Sequence, residues 1–244
     1  MLVGVYATKS AAAAAAARVI VEELHRKPSL VMGLPTGRTS VPFYRELVRL
    51  HRRRQATFSR ATSFNLDEFR GLDPGDPRSF RAFMRRAFFR QVDLPAGRAH
   101  FPDANARDWR RAAADYDRAI GRAGGLDVCV VGIGRNGHVA FNEPATRLSR
   151  RTHLQRLSLR TRRDTARAFG GRWKSVPPRA LTIGVGAILD ARQVVLLATG
   201  PSKAAIIRRA LQDRITPRVP ASILRRHRHL TVILDRAAAA ELGW

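Results

Sequence analysis

The run Gly132-Ile-Gly-Arg-Asn-Gly-His-Val-Ala-Phe-Asn-Glu-Pro144 sets three glycines, an imidazole and a carboxylate directly after the apolar stretch Asp127-Val-Cys-Val-Val131. An imidazole moves protons at neutral pH, and a carboxylate beside it can orient the ring and stabilise its charged form. His138 and Glu143 are thus a candidate acid–base pair within one loop. Ligands of open α/β sheets bind beyond the carboxyl ends of strands, where glycine lets backbone approach them closely. Gly132, Gly134 and Gly137 also spell G-x-G-x-x-G. A dinucleotide-binding turn would need a helix opening at the last glycine and an acidic residue roughly 20 positions on. Pro144 blocks a helix there, and residues 152–159 hold no carboxylate, which excludes nicotinamide and flavin binding.

A second loop, Pro35-Thr-Gly-Arg-Thr-Ser40, links the apolar segment 29–34 to a helical pattern beginning at Val41. Backbone donors and hydroxyls at a helix start suit an anion, so Thr36, Gly37, Arg38, Thr39 and Ser40 are candidate phosphate contacts. A Walker A loop is excluded, because the spacing from Gly33 is one residue short and Arg38 stands where lysine is required. A plain turn with a helix cap is the alternative. The third element is Thr62-Ser-Phe-Asn-Leu-Asp-Glu-Phe69. Adjacent residues of a strand point to opposite faces, so at most one of Asp67 and Glu68 faces a ligand. Taken alone, this pair also reads as a solvated turn.

Taken together, these stretches resemble the glucosamine-6-phosphate deaminase family, a branch of a superfamily that includes 6-phosphogluconolactonases. The resemblance runs in order through Gly33-Leu-Pro-Thr-Gly37, Phe64-Asn-Leu-Asp-Glu68, the 132–144 run, Ser149-Arg-Arg-Thr152, Ala180-Leu-Thr-Ile-Gly-Val-Gly186 and Ala198-Thr-Gly-Pro-Ser-Lys203. Gly-His-x-Ala-Phe-Asn-Glu-Pro is the deaminase form of the signature; lactonases typically continue after Gly-His with a threonine. The resemblance implies ring opening by Asn136, His138 and Glu143, with Asp67 as the base at carbon 2 and Glu68 structural. Asn136 is aspartate in some members, and an amide cannot compensate the charge of His138. The resemblance also implies that Lys203 and the lid arginine Arg167 hold the substrate phosphate. Arg38 and Ser40 depart from the family's usual small residue and proline. No metal or organic cofactor is required, and the expected partner is a small-molecule amino sugar phosphate. A lactonase-like hydrolase and a noncatalytic sugar-phosphate sensor are the other readings.

A net charge of +26 normally points to nucleic acid or an anionic surface. Here four of the 45 basic residues are lysines, and the arginines are scattered among alanine, leucine and valine. Aromatics are not interleaved with the clusters at 52–54, 160–163 and 225–228, so no base-stacking platform exists. No specific nucleic-acid partner is expected, only a salt-dependent affinity for polyanions. No apolar stretch approaches the roughly 20 residues that span a bilayer, and Ala11–Ala17 meets Arg18 directly, as a first helix rather than a signal core. The expectation is a cytoplasmic chain, monomeric or a small homo-oligomer. Cys129, the sole cysteine, lies in an apolar strand and reads as a buried structural thiol.

The elements that must position these groups alternate. Strands are expected near 29–34, 62–67, 127–132, 193–199 and 229–234, with a weaker one near 180–185; helices at 10–24, 41–54, 78–90, 107–122 and 203–212. Such alternation predicts a single-domain, Rossmann-like α/β fold over 1–244, with a mainly parallel sheet flanked by helices. Residues 150–173, rich in arginine and broken by Gly170-Gly171, have the character of a mobile lid.

Overall fold

The computed structural model describes residues 1–73 and 75–243. In chain order the elements are β1 (Leu2–Tyr6), α1 (Lys9–Arg26), β2 (Val31–Leu34), α2 (Ser40–Arg52), β3 (Thr62–Asn65), β4 (Asp67–Phe69), α3 (Phe80–Ala87), β5 (Ala99–His100) and α4 (Trp109–Arg122). They continue with β6 (Val128–Val131), β7 (His153–Arg156), α5 (Leu159–Thr165), β8 (Arg179–Thr182), α6 (Val185–Leu189), β9 (Gln193–Ala198), α7 (Ala204–Gln212) and β10 (Leu230–Asp235). Seven strands form one parallel sheet in the order β1-β10-β9-β6-β2-β3-β5. The order reverses between β2 and β6, the switch point at which open α/β sheets bind ligands. Four neighbouring strands, β9, β6, β2 and β3, therefore deliver the segments that follow them to one rim: Lys203, the 132–144 run, the 35–40 loop and Asp67 at the start of β4.

The central strands are apolar on both faces because helices cover both. Val31–Leu34 and Val128–Val131 are buried throughout. On one face Tyr116 and Ile120 of α4 pack with Ile206, Ile207 and Leu211 of α7. On the other, α1, α2 and α3 bring in Ile20, Leu24, Phe43, Tyr44, Leu47 and Met84. The alanine run is the inner face of α1, with Ala12, Ala13, Ala15, Ala16 and Ala17 buried. Side chains this small let the helix axis lie close to the sheet. Burial pushes the Cys129 thiol up to about 12, as an inert core group.

The expected strand 62–67 breaks at Leu66. β3 stays in the large sheet, whereas β4 joins a second, antiparallel sheet in the order β4-β8-β7. Leu66 is the joint: its N–H bonds Leu34 in one sheet and its carbonyl accepts from Ile183 beside the other. The expected helix 78–90 stops at Ala87 and ends in a 3-10 turn over Phe89–Gln91. The 150–173 segment contains β7, paired to β8, and the short helix α5. The strand β1 is an addition to the sequence reading. At an exposed edge, with Leu2 73% and Val5 46% exposed, it lacks the continuous apolar pattern of a covered strand. No helix among the described residues is long and apolar enough to cross a membrane.

Candidate active site

Asp67 and the 132–144 run meet across the end of β8. Asp67 pairs with Thr182 in the antiparallel ladder, and the Thr182 hydroxyl accepts the Phe141 N–H at 3.1 Å. Asn142 adds to this by donating its side-chain amide to Val139 O at 3.0 Å and Ile183 O at 2.9 Å. The same strand end thus fixes the carboxylate and the loop of the histidine. Ala140, between them, adopts a left-handed backbone at φ 48°, a conformation that disfavours a side chain and is held by its surroundings.

The alternation argument separates Asp67 from Glu68. Glu68 turns to the start of α3 and accepts the N–H groups of Phe69 at 2.8 Å, Phe80 at 2.9 Å and Arg81 at 2.8 Å. Its carboxylate therefore ties β4 to α3. Asp67 is 5% exposed. Burial, reinforced by the charge of Glu68 and opposed by a hydrogen bond with the Thr36 side chain, pushes its pKa up to about 8. A carboxyl group poised near neutrality is the state in which a general base accepts and returns a proton.

The second station is built on the loop after β6. Asn136 donates its amide to Glu143 Oε2 at 2.6 Å, and its own oxygen lies 3.3 Å from the His138 N–H. Glu143 Oε1 also accepts the Ser158 N–H at 3.1 Å. The amide at 136 thus orients Glu143 and the backbone of the histidine, not the imidazole. His138 Nδ1 lies 4.0 Å from Glu143 Oε2, beyond a hydrogen bond but within range of its charge. Burial lowers the pKa of His138; Glu143 and Asp164 oppose that shift and Lys203 adds to it. The imidazole is therefore held neutral and able to take a proton.

Gly134 explains one of the glycines. A Cβ there would sit 2.2 Å from His138 Cε1 and 2.3 Å from Nδ1, so only hydrogen leaves room for the ring. Gly134→Ala is expected to displace the imidazole and lower turnover by about 10²-fold, the usual cost of roughly an ångström of misplacement. Because the obstacle is a side chain and not the core, the melting temperature should change little. Steady-state kinetics and a thermal scan on the same sample check both halves.

Lys203 follows β9 in the 3-10 turn Pro201–Lys203 and donates Nζ to Ile133 O at 2.6 Å, pinning that turn to the loop after β6. Burial is the main cause that lowers its pKa; Arg135 and Arg38 add to it and Asp164 opposes. Arg135, which the sequence reading passed over, and Arg38 are thus its cationic neighbours. Arg135 Nη1 is paired to Asp164 at 3.2 Å. Arg167 is brought to none of these groups; it stands exposed on the 3-10 turn Ala166–Phe169. Ser40 is turned inward: its hydroxyl donates to Gly37 O at 2.7 Å and its N–H to the same oxygen at 3.1 Å. Both of its donors close the loop. Thr36, Gly37 and Thr39 stay half-exposed on the rim.

A parallel sheet whose strand ends gather a raised-pKa carboxyl group, a histidine beside a glutamate and a cationic rim is an α/β arrangement able to carry acid–base chemistry. The model of the glucosamine-6-phosphate isomerase/6-phosphogluconolactonase family matches residues 6–233, and the chain belongs to that family. It is 44% identical over 229 residues to the glucosamine-6-phosphate deaminase of Arthrobacter sp. (strain FB24), covering 94% of this chain and 88% of that one. It is 40% identical over 225 residues to glucosamine-6-phosphate deaminase 1 of Bacillus subtilis (strain 168), covering 92% and 93%. A solved monomeric glucosamine-6-phosphate deaminase superposes with a TM-score of 0.95 at 38% identity, covering 99% of this chain and 100% of that one. The 6-phosphogluconolactonase of Trypanosoma brucei shares the fold, with a TM-score of 0.74 at 21% identity over 99% and 98% of the two chains.

Proposed function

We propose that this chain is an aldose–ketose isomerising deaminase, converting glucosamine 6-phosphate and water to fructose 6-phosphate and ammonia. The observation that carries the reading is the pair of proton stations, Asp67 and His138–Glu143, locked to one strand end beside a cationic rim. The closed sugar must open before its carbon 2 becomes acidic. Neutral His138 takes the proton of the anomeric hydroxyl and returns it to the ring oxygen, while Glu143 stabilises the transient imidazolium and Asn136 holds Glu143 in place. Ionised Asp67 then removes the carbon 2 proton while the substrate's own ammonium group passes a proton to O1, giving an enolamine, and Asp67 delivers its proton to carbon 1. The resulting imine at carbon 2 adds water and releases ammonia. No step calls on a metal or organic cofactor.

Thr36, Gly37, Thr39 and Lys203 face the phosphate in this reading, with Arg38 and Arg135 supplying field and Arg167 arriving as the 150–173 segment closes as a lid. The chain then acts as one domain over 1–244, in the cytoplasm, as a monomer or small homo-oligomer. Lys203→Ala is expected to raise KM about 10–100-fold, the loss of a charge-assisted contact worth roughly 1.5–3 kcal/mol. The preference for glucosamine 6-phosphate over glucosamine should shrink by the same factor; an unchanged preference would place the phosphate elsewhere.

The function itself is tested by offering glucosamine 6-phosphate and 6-phosphogluconolactone in parallel. Ammonia from the first and no accelerated opening of the second is the expected result. Lactone hydrolysis without ammonia would make it a hydrolase, and turnover of neither would make it a sensor.

A further inference from the structure

The segments that follow β2 and β3 run on side by side. In the parallel ladder Leu34 stands opposite Asn65, and the Leu66 N–H reaches the Leu34 carbonyl at 3.3 Å, one residue past that pair. Carried two residues beyond the pair, the same register sets Thr36 abreast of Asp67. The root of the 35–40 loop is fixed at this point. Tyr44, fully buried, donates its hydroxyl to Pro35 O at 2.5 Å, and Ser40 closes the loop on Gly37 O. The Thr36 side chain meets the Asp67 carboxyl group in a hydrogen bond. Among the described residues it is the one hydrogen-bond partner of that carboxyl group, whereas Glu68 next door collects three backbone N–H groups.

We propose that Thr36 is the positioning residue of the base: its hydroxyl donates to ionised Asp67, and its backbone N–H is what it offers the substrate phosphate. The proposal rests on the deaminase reading above. An ionised carboxylate only accepts, and a threonine hydroxyl has one hydrogen to give. That hydrogen cannot serve Asp67 and a phosphate oxygen together. The bond does two things for a base. It fixes the direction of the carboxylate, and because it is stronger to the charged state it eases ionisation. The other surroundings of Asp67 work the opposite way. Burial and then the charge of Glu68 hold its proton on. Tyr44 of α2 and Tyr116 of α4 face it as uncharged phenols, each pushed up by burial and then by the charge of Asp67 itself. Thr36 is thus the group that favours the ionised base. The loop that meets the phosphate and the carboxylate that moves the carbon 2 proton share one side chain, so a phosphate gripped by that loop also aims the base.

The test begins with ¹³C NMR of the aspartate carboxyl groups, with Asp67 assigned by the signal lost in Asp67→Asn; it needs no turnover. Thr36→Val keeps the shape of the side chain and removes the hydroxyl. In that variant Asp67 should titrate about one pH unit or more above wild type, since a hydrogen bond to a charged group shifts the ionisation ratio about tenfold or more. Thr36→Ala should repeat the shift and Thr36→Ser should abolish it. The rising limb of kcat/KM on glucosamine 6-phosphate should move to higher pH by the same amount, while the inhibition constant of inorganic phosphate stays within about twofold of wild type. A hydroxyl that served the phosphate would give the reverse, with inorganic phosphate weakened about tenfold or more and the limb in place. That result would overturn the proposal, and so would an Asp67 that titrates alike in wild type and Thr36→Val. A wild type that releases no ammonia would instead remove the deaminase reading, and the carboxyl titration would still decide whether Thr36 holds Asp67.

Discussion

Asp67→Asn is expected to lower kcat by at least 10²-fold while raising the melting temperature at pH 8. The first effect follows from chemistry, since an amide of the same size cannot take the carbon 2 proton, and positioned bases contribute about 10²–10⁴-fold. The second follows from burial. The native pKa of Asp67 stands at about 8, far above that of a carboxyl group in an unfolded chain, about 3.9. The folded state therefore holds the proton more tightly than the unfolded state between those values, and stability is lost as pH rises through that window. Above pH 8 wild type carries the full cost of a buried carboxylate, on the order of a few kcal/mol, and the amide carries none. At roughly 2–4 °C per kcal/mol for a chain of this size, the variant should melt several degrees higher at pH 8. Near pH 4 the advantage should vanish. Calorimetry at the two pH values checks this, and an equal offset at both would mean that the carboxyl group is not buried as described. For wild type the same ionisation predicts that kcat/KM rises with pH and levels off above about 8.

His138→Gln is expected to cost about 10²–10⁴-fold in turnover of the cyclic substrate, because glutamine can hydrogen-bond but cannot ferry a proton. Its amide can still reach Thr161 and rest on Gly134, so the loop keeps its shape. Affinity for the open-chain sugar alcohol should stay close to wild type, which calorimetric titration would measure. A parallel collapse of affinity would show that the imidazole binds substrate and does not act mainly in ring opening.

The two stations differed in how far their surroundings could be read from the sequence. Covered parallel strands show themselves as apolar runs, and the loops after β2, β3, β6 and β9 carry glycines, hydroxyls and charges at the points where each run stops. That pattern was enough to single out Asp67, His138, Glu143 and Lys203 as candidates, and the resemblance supplied the roles of Asp67 and Lys203. Alternation alone said that at most one of Asp67 and Glu68 faces a ligand, and only the resemblance said which; the three backbone donors on Glu68 show where its carboxylate goes. What was hidden depends on contacts between distant segments. Thr182 looks like any strand threonine until β8 pairs with β4. Arg135 and Asp164 are 29 residues apart, and only the packing of α5 makes them a pair. Ser158 is of the type that caps a helix start, and it caps α5; the approach of Thr161 to His138 required the fold. The inward turn of Ser40 likewise depends on the φ of 119° at Gly37, which lets the loop fold back on that carbonyl.

The most direct measurement of the central claim follows glucosamine 6-phosphate labelled with ¹³C at carbon 2 by NMR while the enzyme acts. Isomerising deamination turns that carbon from an amine-bearing centre into the ketose carbon of fructose 6-phosphate, with one ammonia released per label converted. A label that stays on an amine-bearing carbon, or ammonia formed while the product remains an aldose, would contradict it.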